Sequence, residues 1–320
     1  MTDTTNSKAD TDRISLVFPI YNEDAVIALL VLRLKQLFKT LPDSFEVIFV
    51  NDGSRDRSLE MLRETARDNE WARVVSLSRN FGHQTAVSAG LTYATGSAVI
   101  VMDADLQDPP ELIPEMLKLW RSGSSVVYCV RKKRKEGIVK RASYAAFYRI
   151  MRMMVDMDMP LDSGDFCLMD ARVVKLICSM PERNRFIRGL RAWVGFKQTP
   201  LEYERSARQA GEPKYNMRRL MKLAMDGIFS FSYVPLKICG TVGITIAIAS
   251  LVYTIKIILW RIAFNDRVPG FATLATGMFF FASVQLLSLY VIGEYLGRIY
   301  DEAKQRPTFI VEELQGFPNQ

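Results

Sequence analysis

Histidine is almost missing from this chain: 320 residues contain one, His83. No serine or cysteine motif surrounds it, so a nucleophile–histidine triad has no footing, and His83 reads as shaping a ligand pocket or capping a helix. Cysteine is scarce as well. Cys129, Cys167, Cys178 and Cys239 show no C-x-x-C spacing, which points to neither a zinc site nor a disulfide framework. The amino terminus, MTDTTNSKADTDR, lacks an apolar core, so no secretory signal is predicted. No internal repeat is visible. No nucleic-acid recognition motif accompanies the net charge of +7, which fits an anionic partner such as a membrane surface or phosphates.

What the chain has in plenty is apolar length. With 49% hydrophobic residues it can hold one large domain and a membrane anchor. Ile238 to Trp260 carries one charge, Lys256, near its end, and Phe271 to Ile292 carries none. As helices each would run roughly 33–35 Å, enough to cross a bilayer core; the alternative is a very apolar buried pair. Lys256 can snorkel toward the interface beside Trp260 and Arg261. Basic residues crowd the flanks before the first stretch (Arg218, Arg219, Lys222, Lys237) and after the second (Arg298, Lys304, Arg306), whereas residues 262–270 hold only Arg267 against Asp266. The bias of positive charge toward the cytoplasm then places the large amino-terminal part and both termini inside. The expected organisation is a disordered 1–12, an α/β domain over 13–214, and a juxtamembrane amphipathic helix over 215–234. Spans at 235–261 and 271–293 follow, joined by an external loop at 262–270, and then a cytoplasmic segment at 294–320.

Within the first domain, strands and helices alternate. Strands are expected at Ile14–Ile20, Phe45–Val50, Val74–Leu77, Ala98–Met102 and Val126–Val130. Helices are expected at Glu23–Thr40, Ser58–Asn69, Gln84–Ala94 and Pro110–Arg121. This spacing argues for βαβ units and a mostly parallel sheet. From Arg131 the composition shifts to RKKRKEGIVKR, which is either a solvated face or a site for phosphate or anionic lipid. Two amphipathic stretches follow, one with Tyr144, Phe147, Tyr148, Met151 and Met154, the other with Met217, Leu220, Met221, Ala224 and Ile228. Such helices pack as core or, directly before a span, lie among headgroups.

The densest chemistry lies in AVIVMDADLQDPPE, from Ala98 to Glu111. Asp103 and Asp105 are placed at the carboxyl end of a buried strand, where open α/β sheets bind ligands, with Gln107 and Asp108 beside them. A D-x-D pair of hard oxygens suits Mg²⁺ or Mn²⁺, with further ligands from water and a substrate diphosphate. Three more clusters end strands of the same sheet: FPIYNED (Phe18–Asp24), VNDGSRDRS (Val50–Ser58) and SLSRNFGHQTAVSAGL (Ser76–Leu91). Pro19 stiffens a turn, Tyr21 offers a ring for stacking, Asn22 and Glu23 offer polar groups, Asp52 can accept from a nucleobase N–H, and Gly53 allows a tight turn.

In this order and spacing PIYNED, NDGSRD, RNFGHQTA and DADLQDPPE resemble the polyprenyl-phosphate glycosyltransferases, inverting family-2 enzymes with the GT-A fold. The resemblance continues through SGDFCLMD, FIRGLRAWVGF, RQAGEPKYNMRRL and GEYLGRIYDEAKQRP, covers nearly the whole chain, and is greatest to the bacterial undecaprenyl-phosphate glucosyltransferases. It implies a GT-A catalytic domain at the inner membrane, facing the cytoplasm. Pro19, Tyr21, Glu23, Asp52 and Asp103 would bind the nucleotide of a UDP-sugar. Asp103, Asp105 and Gln107 would bind Mg²⁺ or Mn²⁺. Asp165 would position acceptor or sugar, or act as base, and Arg205, Arg208, Lys214 and Arg131 would clamp the acceptor phosphate. The expected reaction is transfer of one hexose to undecaprenyl phosphate, in a protein that can assemble with copies of itself.

Two departures stand out: Asn51 where many relatives have Asp, and Pro213 where Ser is common. The Q-x-x-R-W motif of processive family-2 synthases is absent, which argues for single transfer. Rival readings are the same fold with another donor (GDP-mannose, UDP-GlcNAc, UDP-aminoarabinose) or a diacylglycerol acceptor, and an inactive membrane-bound sugar-nucleotide sensor.

Overall fold

Short apolar runs separated by amphipathic ones build the frame of the molecule. The computed structural model describes residues 12–131, 163–183, 185–203, 232–264 and 270–317. The expected disordered amino terminus, the Met-rich helix after Arg131, the cluster Arg205, Arg208 and Lys214, the juxtamembrane helix and residues 265–269 of the connecting loop lie outside them.

Strands β1 (Arg13–Ile20), β2 (Ser44–Asn51), β3 (Ala72–Leu77) and β4 (Ala98–Val101) pair in parallel in the order β4-β1-β2-β3. Each is followed by a helix: α1 (Asp24–Phe38), α2 (Ser58–Asp68), α3 (His83–Tyr93), and, after a 3-10 turn at Pro110–Leu112, α4 (Ile113–Arg121). Side chains alternate across the sheet with a period of two. Leu16, Phe18, Val47 and Phe49 join one core with Ile27, Leu30 and Leu34 of α1, Leu62 of α2 and Leu117 and Trp120 of α4. Val17 and Val50 serve the other face, against α3. There Gly90 has no room for a side chain, because an added Cβ would strike Val17 and lie 3.0 Å from Val50 Cγ2.

The alternation reaches β5 (Val126–Arg131) and then breaks. The expected motif SGDFCLMD is itself a strand, β6 (Ser163–Asp170), inserted antiparallel between β4 and β5. After α5 (Ala171–Ser179) and α6 (Ile187–Trp193), β7 (Gln198–Tyr203) pairs parallel to β5. An eighth strand, β8 (Val311–Gln315), comes from the carboxyl-terminal segment and lies antiparallel on β3, completing the order β7-β5-β6-β4-β1-β2-β3-β8. Side chains fasten it: Arg63 Nε donates to Glu313 Oε1 at 3.1 Å, and Phe317 lies 5.2 Å from the Arg73 guanidinium and 5.4 Å from the Tyr93 ring. At the amino ends of the strands, buried Glu46 accepts from Ser15 Oγ (2.5 Å) and the Thr95 N–H (2.6 Å) and pairs with Arg73 at 2.5 Å.

A second body comprises helices α7 (Val234–Phe264) and α8 (Phe271–Ala303). Both are long and apolar enough to cross a membrane, over Val234–Ile257 at mean hydropathy 2.0 and Thr276–Ala303 at 1.6. Leu251, Phe279 and Leu286 are among many large apolar side chains exposed on these helices, a surface suited to lipid rather than water. Helix α8 runs past the expected end of the span at 293 to Ala303.

Asp170 joins three elements of the first body. It ends β6, caps α5 by accepting the Arg172 N–H at 3.0 Å, and accepts from Trp120 Nε1 of α4 at 3.0 Å. Burial raises its pKa, but the bonds from Trp120 and Arg172 outweigh that and hold the carboxyl below its ordinary value. A depressed folded pKa adds stability that is complete above the unfolded pKa, about 3.9, and is lost as pH falls through the folded value. Asp170→Ala is therefore expected to cost about 1–3 kcal/mol at neutral pH. The deficit should shrink in acid; unfolding in detergent across that pH range would show it, and a pH-independent deficit would refute the capping role.

Candidate active site

The four parallel strands β1 to β4 all end at one edge of the sheet, and the loops leaving them are bound to one another. Asn22, at φ +53°, donates its N–H to Ser54 Oγ (3.1 Å) and accepts the Arg55 N–H on Oδ1 (2.8 Å). The Glu23 N–H donates to Ser58 Oγ at 2.9 Å. These bonds join the exits of β1 and β2, where Tyr21 is 37% exposed and Pro19 half-buried. The exit of β2 is pressed onto that of β3: Gly53 has φ +64°, and an added Cβ would lie 2.5 Å from the Arg79 carbonyl carbon. Asp52 completes this join. Its buried carboxylate accepts the Phe81 N–H on Oδ1 (2.7 Å) and the Gly82 N–H on Oδ2 (3.0 Å). Burial raises its pKa against the pull of those two bonds.

The exit of β4 carries Asp103, Asp105 and Gln107. Leu106 is buried in the left-handed region at φ +57°, a strained backbone that a branched side chain seldom adopts and that clusters at functional sites. Asp105 Oδ1 accepts the Gln107 N–H at 3.1 Å, closing the turn. Buried Asp108 accepts from the Tyr203 hydroxyl, which fastens this loop to the end of β7.

Asp165 arrives from the opposite chain direction. In the antiparallel ladder Val101 of β4 faces Cys167 of β6, so two residues onward from β4 and two residues back on β6 bring Asp103 and Asp165 to the same edge. His83 lies at both: its Nε2 is 3.4 Å from Asp165 Oδ2 and 3.7 Å from Asp103 Oδ1. The capping expected of His83 does not hold, because Gly82 takes the N-cap position of α3 and the ring turns to the carboxylates. Arg188 of α6 grips Asp165 with a fork, Nε to Oδ1 at 2.7 Å and Nη2 to Oδ2 at 3.0 Å. Neither His83 nor Arg188 was foreseen as a partner of Asp165. The signal was present only as the motifs RNFGHQTA and FIRGLRAW, which do not say what their side chains meet.

Charge at this edge is crowded. Burial, and after it the charges of Asp165, Asp108 and Asp105, push the Asp103 carboxyl up to about 6 against the opposing pull of His83. Asp165 is itself buried, yet Arg188 and His83 hold it well below the ordinary carboxylate range. For His83, the bond to Asp165 and the charges of Asp103 and Asp165 outweigh burial and raise its pKa. A crowded edge of partly exposed carboxylates fits a divalent cation. Among the described residues no group of three His, Cys, Asp or Glu side chains is disposed to hold a metal alone. Arg131 closes β5 at this same edge, paired in register with Tyr203 of β7. Arg205, Arg208 and Lys214 lie outside the described residues, in the segment that leaves Tyr203.

The model of the family described as glycosyl transferase family 2 matches residues 15–177. The chain belongs to this family. As a family-2 glycosyltransferase it is similar along its length to an uncharacterized glycosyltransferase, YkcC, of Bacillus subtilis, at 46% identity over 306 residues and 95% of each chain. It is also similar to the bactoprenol glucosyl transferase of Shigella phage SfV, at 37% identity over 94% of this chain and 98% of that one. Among solved structures, glucosyl-3-phosphoglycerate synthase from Mycobacterium tuberculosis, in complex with Mn²⁺, UDP and product, is 21% identical, with a TM-score of 0.47. That match covers 68% of this chain and 78% of that one. The sheet order and the family together give the glycosyltransferase a GT-A-type α/β fold followed by two candidate membrane helices.

Asp52 tests the joining of the loops. Asp52→Ala leaves the Phe81 and Gly82 N–H groups without their acceptor, at a cost of about 1–3 kcal/mol. Those two amides should lose protection in hydrogen exchange while the core of β2 keeps it. Unchanged protection would remove Asp52 as the anchor.

Proposed function

We propose that this family-2 glycosyltransferase moves a single hexose, glucose by preference, from a UDP-sugar to undecaprenyl phosphate at the cytoplasmic face of the membrane, with inversion. One observation carries the reading. The sheet edge that holds Asp103 and Asp105 is also the edge where β7 ends at Tyr203 and launches the segment with Arg205, Arg208 and Lys214. That the chain enters this basic segment from the same edge supports reading donor and acceptor chemistry as neighbours. Relatives named bactoprenol glucosyl transferase, 36–37% identical over at least 94% of the chain, support a glucosyl donor and a prenyl-phosphate acceptor.

In this reading the exposed Tyr21 ring stacks on uracil, Pro19 holds the turn beneath it, Glu23 takes the ribose, and the remaining lone pairs of Asp52 accept from the base. Asp103, Asp105 and Gln107 hold Mg²⁺ or Mn²⁺. A divalent ion, when bound there, offsets the negative charge that builds on the leaving UDP. A phosphate monoester has its second pKa near 6 and is largely dianionic at pH 7, so no residue has to remove a proton from the acceptor. Arg205, Arg208, Lys214 and Arg131 provide charge-assisted contacts for that phosphate.

The test is donor screening. Purified protein with undecaprenyl phosphate and Mn²⁺ should label the lipid from UDP-glucose in preference to GDP-mannose, UDP-GlcNAc or UDP-aminoarabinose. Asp105→Ala should abolish transfer nearly completely while leaving the fold intact, because an ion at this position supplies several kcal/mol of charge stabilisation. Wild-type turnover in EDTA would sink the metal assignment, and labelling from GDP-mannose alone would replace the donor.

Strand β8 supports the orientation. The chain leaves α8 and returns to pair with β3, so two crossings would put the α/β domain and the carboxyl terminus on one side. The charge bias makes that side the cytoplasm. With the four native cysteines replaced, Asp266→Cys should react with a membrane-impermeant thiol reagent in intact cells and Gln320→Cys should not. The reverse pattern would turn the domain away from cytoplasmic sugar nucleotides.

A further inference from the structure

Asp165 has four acceptor positions, two on each carboxylate oxygen. On Oδ2 the fork of Arg188 arrives at 3.0 Å, with Gln84 Nε2 and His83 Nε2 each 3.4 Å away. On Oδ1 the described residues supply only Arg188 Nε, at 2.7 Å. Gln84 is itself fixed, since its Oε1 accepts the Ile187 N–H at 3.0 Å at the start of α6. Thus α3 and α6, themselves joined through Gln84, hold one carboxylate of β6, and among the described residues Oδ1 accepts from Arg188 alone. The Asp165 side chain is 14% exposed, so the carboxylate is not sealed from the edge of the sheet.

We propose that Arg188, Gln84 and His83 are positioning residues that fix Asp165 as a hydrogen-bond acceptor for a hydroxyl of the transferred hexose. The inference rests on the glycosyl transfer to a phosphate acceptor set out above. In that transfer the bond from sugar C1 to the β-phosphate oxygen of UDP breaks, and its electron pair leaves on UDP. A bond from C1 to the dianionic acceptor phosphate forms, and no proton changes hands. A carboxylate at the site consequently has nothing to deprotonate, and it repels both phosphates. Among the reacting groups only a sugar hydroxyl offers it a proton to share. An acceptor held by a planar fork keeps one direction, so it can orient C1 for attack.

Kinetics of the full chain in detergent, with UDP-glucose, Mn²⁺ and undecaprenyl phosphate, test this. Asp165→Asn and Arg188→Ala should each lower kcat about 10- to 100-fold, the loss for a contact to a charged group. The double variant should be no more than about twofold below Asp165→Asn, because Arg188 acts through Asp165. Arg188→Lys should recover part of the loss, and UDP affinity by calorimetry should stay within about twofold throughout. Monodeoxy analogues of UDP-glucose identify the hydroxyl: one of them should slow wild type by the same factor as Asp165→Asn and leave that variant no slower. Multiplying losses in the double variant, or a full response of Asp165→Asn to every deoxy donor, would overturn the proposal. If Arg188→Ala does not fold, Gln84→Ala takes its place in the same cycle with a smaller expected loss. Wild-type turnover by Asp165→Asn would remove the carboxylate from the site altogether. Failure of the wild-type protein to label the lipid from any nucleotide sugar would instead defeat the transfer reading itself.

Discussion

The antiparallel pairing of β6 with β4 is the constraint on which the site depends. Parallel strands alone bring the exits of β1 to β4 to one edge, and that edge already carries Asp52, Asp103 and Asp105. A parallel β6 would end there too, and Asp165, near its beginning, would lie at the far edge of the sheet. Reversal of this one strand, with Val101 facing Cys167, carries Asp165 beside Asp103 instead. It also gives α3 and α6 a common object to hold, since His83 and Arg188 both reach Asp165.

Charge then decides what the edge can be. Four aspartates, Asp103, Asp105, Asp108 and Asp165, share a partly buried region with His83 and Arg188 as its cations. The structure settles Asp165 with a guanidinium and Asp108 with a tyrosine hydroxyl, and leaves Asp103 with a raised pKa. Asymmetry of this kind separates the two neighbours: Asp165 is fixed in direction by Arg188, while Asp103 carries the raised pKa. The strained Leu106 turn belongs to the same picture, because it is stable only where the buried side chains around it over-determine the backbone.

The opposite edge does the structural work that leaves this one available. Buried Glu46 gathers Ser15, Thr95 and Arg73 at the amino ends of the strands, and Arg73 in turn supports Phe317. A lone buried carboxylate would be costly, and the hydrogen bonds and guanidinium around Glu46 offset that cost. The outcome is that β8 covers the β3 edge of the sheet with chain from beyond the second apolar helix. The short polar β8 thereby takes the edge position from the buried, mostly apolar β3.

Local pattern determined the first half of the fold. Runs of buried apolar residues with helical runs between them placed β1 to β5 and α1 to α4 within a few residues, since each of those elements is stabilised by its own side chains and their neighbours in sequence. The D-x-D pair, the turn residues of PIYNED and NDGSRD, and the two long apolar stretches were equally legible, because each is a property of residues contiguous in sequence. What tertiary structure alone decided is which of those residues meet. β6 lacks a preceding crossover helix in the described residues, and VEELQ in β8 is too polar to announce a strand before β3 pairs with it. Asp52 reads as a base acceptor in sequence, and only the structure shows that each of its oxygens also accepts one N–H, from Phe81 and from Gly82. His83 and Asp165 are distant along the chain and hydrogen-bonding neighbours in space. No periodicity encodes that contact, because it arises from the direction of a strand, and strand direction is fixed by which partner buries it.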